Sequence, residues 1–190
     1  MYIDTIMSVQ NKISSIYLKS ILEKTINLNI CEIGNNLNDI ITTKLEHAFS
    51  GKCISEGFIR PNSIKLLNYS SGKLSNNAVQ YIANFECLIC LPVEGQTVTC
   101  KIKSITKAGI HGIVEDGEYT PLHVFVAKDH HVMVKEFNEI KEDSSIIVKI
   151  IGTKYELNDE HIYSIGKICN EEDEKIAMKD KKKKIRVLDE

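Results

Sequence analysis

Ile146-Ile147-Val148-Lys149-Ile150-Ile151-Gly152-Thr153-Lys154-Tyr155 is the stretch whose reading decides the fold. Its first half is a run of β-branched residues, whose stiff side chains suit a pleated surface and predict a strand. A polar loop, Glu156-Leu157-Asn158-Asp159-Glu160, follows it. A second apolar run then alternates, with Ile162, Ser164, Gly166 and Ile168 on one face and Tyr163, Ile165 and Lys167 on the other. Two strands joined by a short polar loop predict an antiparallel hairpin, here the closing hairpin of a small barrel that begins near Gly95.

Upstream of this hairpin the pattern is strands only. Thr97 to Ile105 alternates, with Val98, Cys100, Ile102 and Ser104 on one face and Thr97, Thr99, Lys101 and Lys103 on the other, and Lys107-Ala108-Gly109 reads as a turn. Ile110 to Val114 is a second strand, Glu115-Asp116-Gly117 a hairpin signal and Leu122 to Val126 a third strand. Lys128 to Ile140 reads as a connection holding a short helical turn. Five strands with a longer link between the third and fourth make the pattern of an OB-type barrel.

The first half of the chain reads differently. Residues 1–12 form a leader with no clear period. Ile26-Asn27-Leu28-Asn29-Ile30 alternates as a strand. Asn35, Asn36 and Asn38 supply side chains able to cap a helix. Leu37, Ile40, Ile41, Leu45, Ala48 and Phe49 fall at helical spacing, and Gly51 provides the stop. That apolar stripe is read as core packed on a sheet. Cys53–Phe58 and Ser63–Tyr69 read as short strands, Ser70-Ser71-Gly72-Lys73 as a turn and Ala78–Leu91 as a long strand, broken by Pro92-Val93-Glu94-Gly95. The fold class is therefore α+β. An antiparallel sheet carrying one amphipathic helix occupies 1–92, a five-stranded OB-type barrel 93–169 and a charged tail 170–190.

A hydrophobic fraction of 43% in 190 residues supports a real core. No apolar run is long enough to span a bilayer, no basic-then-apolar leader marks secretion, and the six cysteines lack disulfide-framework spacing. A reducing, intracellular setting is the expectation. Charge is spread thinly: 1–92 carry 8 basic and 7 acidic groups, 93–169 carry 9 and 12, and 170–190 carry 7 of each. In the tail, Glu171–Glu174 form an acidic block and Lys179–Arg186 a basic one. No part is basic enough to hold nucleic acid by phosphate neutralisation alone.

Cys87 and Cys90 form a C-x-x-C, but side chains three apart on a strand point to opposite faces, so they read as buried thiols, with no metal and no cofactor expected. His130-His131, with Asp129 adjacent, and His123 and His111 could form a metal or acid–base site, yet no nucleophile sits in a recognisable motif, so no catalytic residue is assigned. Lysines interleaved with aromatics across 93–169 fit a barrel that stacks single-stranded bases beside a basic groove. Lys103, Lys107, His111 and Lys154, at strand ends or turns, are the RNA-binding candidates.

Gly95-Gln96-Thr97-Val98, Thr106-Lys107-Ala108-Gly109-Ile110, Val124-Phe125-Val126 and Lys149-Ile150-Ile151-Gly152-Thr153-Lys154 with Ile165-Gly166 resemble the seventh subunit of eukaryotic RNA polymerase II and its counterpart in the stalk of the archaeal polymerase. The helix before Gly51, then Gly51-Lys52-Cys53, Gly57-Phe58 and the strand from Ala83 to Gly95, resemble that family's tip region, so the likeness covers about residues 14–169. The resemblance implies a non-catalytic stalk subunit of a multisubunit DNA-directed RNA polymerase, made of a tip domain and an OB-type barrel. The tip would dock near the clamp, on the large catalytic subunits, through the neighbourhood of Gly51, Cys53, Gly57, Phe58, Pro92 and Gly95. A smaller fourth-subunit-like protein would complete the stalk, and nascent single-stranded RNA would touch the barrel weakly, with no membrane involved. Location would be the nucleus for a cellular protein and the cytoplasm or virion for a viral one.

Three departures mark a divergent copy, of the kind a large DNA virus or an AT-rich eukaryote would carry. Cys31-Glu32-Ile33-Gly34 lacks the family's proline, the barrel is acidic overall, and the ending after Asn170 is unlike the family's. The alternative function is a free-standing OB-fold RNA-binding or translation factor.

Overall fold

The computed structural model describes residues 16–34, 36–131 and 140–169. The leader at 1–12, Asn35, residues 132–139 of the connection and the tail at 170–190 lie outside the described residues. Contacts divide the described chain into two compact units, 16–91 with 154–162 and 92–153 with 163–169.

The first unit is built on strand β6 (Ala78–Cys90). Along one edge it pairs with β1 (Tyr17–Asn29) without a break, from Tyr17↔Cys90 to Asn29↔Ala78. Along the other edge it takes three short partners in succession: β5 (Lys73–Ser75), β4 (Lys65–Tyr69) and β3 (Gly57–Ile59), with β2 (Cys53–Ile54) beyond β3. All these pairings are antiparallel.

Strand β1 runs well beyond the expected Ile26–Ile30. Leu18 and Ile21 stay exposed, which hides the alternation, and full-length pairing with β6 extends the strand regardless. Ile30–Glu32 leave the strand as a 3₁₀ turn, closed by the Asn29 N–H donating to Glu32 Oε2 at 3.0 Å. The short β5, all exposed, reads in the sequence as no more than the end of a turn.

Helix α1 (Leu37–Phe49) starts and stops where its spacing predicts. Asn36 occupies the cap position, but its side chain makes no capping hydrogen bond there. Asn38 lies inside the helix, its carbonyl accepting the Thr42 hydroxyl at 2.8 Å. After the helix, Gly51 turns the chain with φ +70°, a conformation that costs glycine little. The helix buries Ile41 and Leu45 against Ile26, Leu28, Tyr81 and Phe85 of the sheet, and Phe49 stacks on Phe85 at 6.2 Å. Each such fully buried side chain is worth about 1.5–3 kcal/mol.

The second unit is a closed barrel of β7 (Thr97–Ile105), β8 (Gly109–Asp116), β9 (Tyr119–Ala127), β10 (Ser145–Lys154) and β11 (Ile162–Ile168), in the order β10-β11-β9-β8-β7 with β10 returning to β7. The pairs β7–β8, β8–β9 and β7–β10 are antiparallel. β10 and β11 are neighbours joined by a short loop, which makes them antiparallel too. β11 then runs parallel to β9, the one mixed pairing of an OB-type barrel. Val98, Cys100, Ile102, Ile110, Leu122, Val124, Val126, Val148, Ile150 and Ile162 fill its interior. The inward set expected for β11 is the buried one, Ile162, Ser164, Gly166 and Ile168. The connection after β9 begins with a 3₁₀ turn at Lys128–His131.

Gly166 is set by close approach. A Cβ there would overlap Val148 Cγ1 and stand 3.2 Å from the Lys149 carbonyl, whereas a Cβ at Gly152 would meet nothing within 4 Å. Gly166→Ala is therefore expected to destabilise the protein by about 1–3 kcal/mol in urea denaturation and Gly152→Ala to change it little. Phe85→Ala, which empties the centre of the other core, is expected to cost about 3–5 kcal/mol by the same measurement.

Candidate functional site

Three of the four RNA-binding candidates come together on the β7–β8 hairpin. Its turn is tied by Thr106, whose N–H donates to the Gly109 carbonyl at 2.8 Å and whose Oγ1 accepts from the Gly109 N–H at 3.2 Å. Gly109 is required by space, since a Cβ would run into the Val126 carbonyl and stand 2.9 Å from the Phe125 ring. This closed turn leaves Lys107 exposed at its tip. The β7–β8 register skips between Ile102 and Ser104, so Lys103 is the extra residue of a bulge, a device that re-aims a side chain. His111 pairs with Ser104 on one side and Phe125 on the other, and its ring lies 4.7 Å from that of Phe125 at 47°. His111 is exposed and Phe125 half-buried.

Phe125 thus joins the site through register, a link the sequence does not express. A second ring pair, His123 edge-on to Tyr163 at 5.8 Å, stands on β9 and β11. Lys101, also on β7, has its charge answered by Glu115 at 3.7 Å and Asp143 at 3.6 Å. Lys154 stands apart from the other three. The β7–β10 register runs from Ser145↔Lys101 to Lys149↔Thr97, so Lys154 closes β10 at the end away from the Lys103 bulge.

The docking candidates fall mostly inside the fold. Cys53 and Phe58 are 1% and 2% exposed, and Pro92 is buried. Gly57, with φ +127°, is buried where a Cβ would stand 2.6 Å from the Cys90 carbonyl. Gly51 is half-buried and Gly95 exposed. At the tip of the β2–β3 hairpin it is Ser55 and Glu56 that reach solvent. Burial alone would raise the Glu56 carboxyl, but hydrogen bonds from Ser55 at 2.6 Å and Lys24 at 2.9 Å outweigh it and hold the group below the usual carboxylate range.

The segment 154–162, which belongs to the first unit, is laced to this hairpin. The Cys53 N–H donates to the Asp159 carbonyl at 2.7 Å, the Asn158 N–H to the Cys53 carbonyl at 2.8 Å and the Tyr155 hydroxyl to the Ser55 carbonyl at 3.1 Å. Asp159 Oδ2 accepts the Glu156 N–H at 2.7 Å, which sets the loop's turn.

Burial pushes the Cys53 and Cys87 thiols up to about 11 and Cys100 up to about 12, with Asp159 adding to the effect at Cys53. Among the described residues no three His, Cys, Asp or Glu side chains cluster as a metal site. A groove of about 710 Å³ beside α1 is lined by Asp39, Lys44 and His47, but Lys44 is engaged with Glu32 at 3.0 Å. No helix among the described residues is long and apolar enough to cross a membrane.

No family model matches the chain. A protein of Acanthamoeba polyphaga mimivirus, named as a DNA-directed RNA polymerase subunit, is 25% identical to it over 169 residues, which cover 82% of this chain and 83% of that protein. The chain therefore resembles, across most of its length, a divergent viral polymerase subunit.

Thiols this deeply protonated are poor nucleophiles. Iodoacetamide at neutral pH is expected to label the exposed Cys31 of the native protein and to reach Cys53, Cys87 and Cys100 only after unfolding, as read by mass spectrometry. The same shifts set a pH trend. Below the unfolded value of 9.0 the thiols are protonated in both states, and their contribution to stability is intact. As pH rises from 9.0 towards 11 the unfolded chain loses these protons first, so stability is expected to fall across that window.

Proposed function

We propose that this protein is a non-catalytic subunit of a multisubunit DNA-directed RNA polymerase, built as a stalk element. Its sheet unit docks on the large catalytic subunits near the clamp, and its OB-type barrel touches nascent single-stranded RNA. The observation that carries this reading is the likeness to the mimivirus protein over 82% of the chain, which spans both units rather than a shared barrel alone. A barrel by itself would argue only for oligonucleotide binding, because many functions share that fold. The order of a helix-bearing sheet before a closed five-stranded barrel supports the same reading.

Docking uses the surroundings of the β2–β3 hairpin. Buried Cys53, Gly57 and Phe58 shape that hairpin from within, and exposed Ser55 with half-buried Glu56 meets the partner. RNA contact uses Lys103, Lys107 and His111 with the Phe125 ring as stacking surface, while Lys154 makes a separate phosphate contact. A fourth-subunit-like protein completes the stalk. The complex works wherever its template is transcribed, in the nucleus of a cell or the cytoplasm or virion of a virus.

The test is a tagged pull-down from native lysate with a salt wash and mass spectrometry. Near-equal recovery of the large polymerase subunits is expected; recovery of RNA alone, or of ribosomal components, would replace this reading with that of a free OB-fold factor. For the RNA surface, Lys103→Glu with Lys107→Glu is expected to weaken single-stranded RNA binding by roughly tenfold and to flatten its salt dependence by about two ionic contacts. Unchanged binding by fluorescence anisotropy would remove the hairpin from the RNA path.

A further inference from the structure

Strands β10 and β11 have an outer face that the barrel core does not use. Val148 and Ile150 point inward from β10, as Ile162, Ser164, Gly166 and Ile168 do from β11. The alternate positions carry large apolar side chains into solvent: Ile147 is 38% exposed, Ile151 44%, Tyr163 53% and Ile165 51%. Large apolar side chains exposed together on neighbouring strands mark a place where something binds.

The charge on this face narrows what binds. Lys149 and Lys167 stand exposed among the isoleucines, and neither Ser145–Lys154 nor Ile162–Ile168 contains an aspartate or glutamate. This inverts the balance of residues 93–169, where 12 acidic groups outnumber 9 basic ones. Elsewhere on the barrel Lys101 is answered by two carboxylates, whereas among the described residues Lys149 and Lys167 make no ion pair. An occupant that carries carboxylates complements these two lysines. A second copy of the chain is disfavoured, because it would set lysine against lysine. Nucleic acid is disfavoured as well, since bases stack on aromatic rings and this face offers three isoleucines, with Tyr163 as its one ring.

We propose that the outer face of β10–β11 is a protein-docking surface for an acidic amphipathic segment of another subunit, whose apolar side chains cover Ile151 and Ile165 and whose carboxylates pair with Lys149 and Lys167. The proposal rests on the reading of the chain as a subunit of a larger assembly. The surface differs from the RNA-contacting hairpin in strands and in chemistry.

The test places the photo-crosslinker p-benzoylphenylalanine at Ile151 or Ile165 of the full tagged chain, with Glu118 in the β8–β9 turn as the control position, and irradiates the native complex. Crosslinks from Ile151 and Ile165, but not from Glu118, to an acid-rich segment of another polypeptide are the expected result. Lys149→Glu with Lys167→Glu is expected to reduce their yield about tenfold, a loss of about 1.4 kcal/mol, with thermal melting by circular dichroism verifying the fold. Recovery of the large polymerase subunits with no crosslink from these positions, or with crosslinks to RNA or to the chain's own residues 170–190, would overturn this inference and leave the subunit reading standing. Recovery of the chain alone would overturn both.

Discussion

Strand β6 must satisfy its backbone on both edges along thirteen residues, and the first unit follows from how it does so. One edge is served by a single partner of equal length, β1, in unbroken register. No other described strand of the unit is long enough to serve the second edge, so three short strands take turns along it. The pleat then sends Tyr81, Ala83, Phe85, Cys87 and Ile89 to one side, where α1 covers the middle of the row. Removing β6 would leave the helix with nothing to pack on and the short strands with no ladder to join.

The barrel depends on a comparable constraint, the closeness of β11 to its neighbours. Gly166 lets β10 approach, and a bulge at Lys103 bends β7 so that β8 can follow. These devices also dispose the chemistry. The bulge turns Lys103 outward beside a hairpin whose tip carries Lys107, and the β8–β9 register sets His111 against Phe125. The surface proposed to meet RNA therefore arises from closing the barrel, without a strongly basic composition. Weak, salt-sensitive contact is what such a surface supplies.

Much of this is legible in the sequence where the local signal and the tertiary outcome agree. Helix α1 reads correctly because its apolar spacing and Gly51 bound it from both sides. β7 reads correctly because one face is buried and the other is wet, so alternation survives in the residues. β1 reads short because Leu18 and Ile21 break the alternation while the strand is held by its partner, a nonlocal effect. β5 escapes for the opposite reason: it buries nothing, and only the free edge of β6 makes it a strand. At the candidate site the turn chemistry of Thr106–Gly109 points to Lys107 and His111, but the Phe125 partner depends on register. The lacing of Asn158 and Asp159 to Cys53 runs through backbone groups, which leave no mark on residue identity.

The central claim, that this sheet-and-barrel chain is a stalk subunit of a polymerase, is tested most directly by single-particle reconstruction of the native RNA polymerase purified through this chain. The account expects peripheral density that fits the six-stranded sheet unit, with its β2–β3 hairpin against the large subunits near the clamp, and a closed five-stranded barrel reaching solvent. A complete polymerase without that density, or with the chain inside the catalytic cleft, would contradict it.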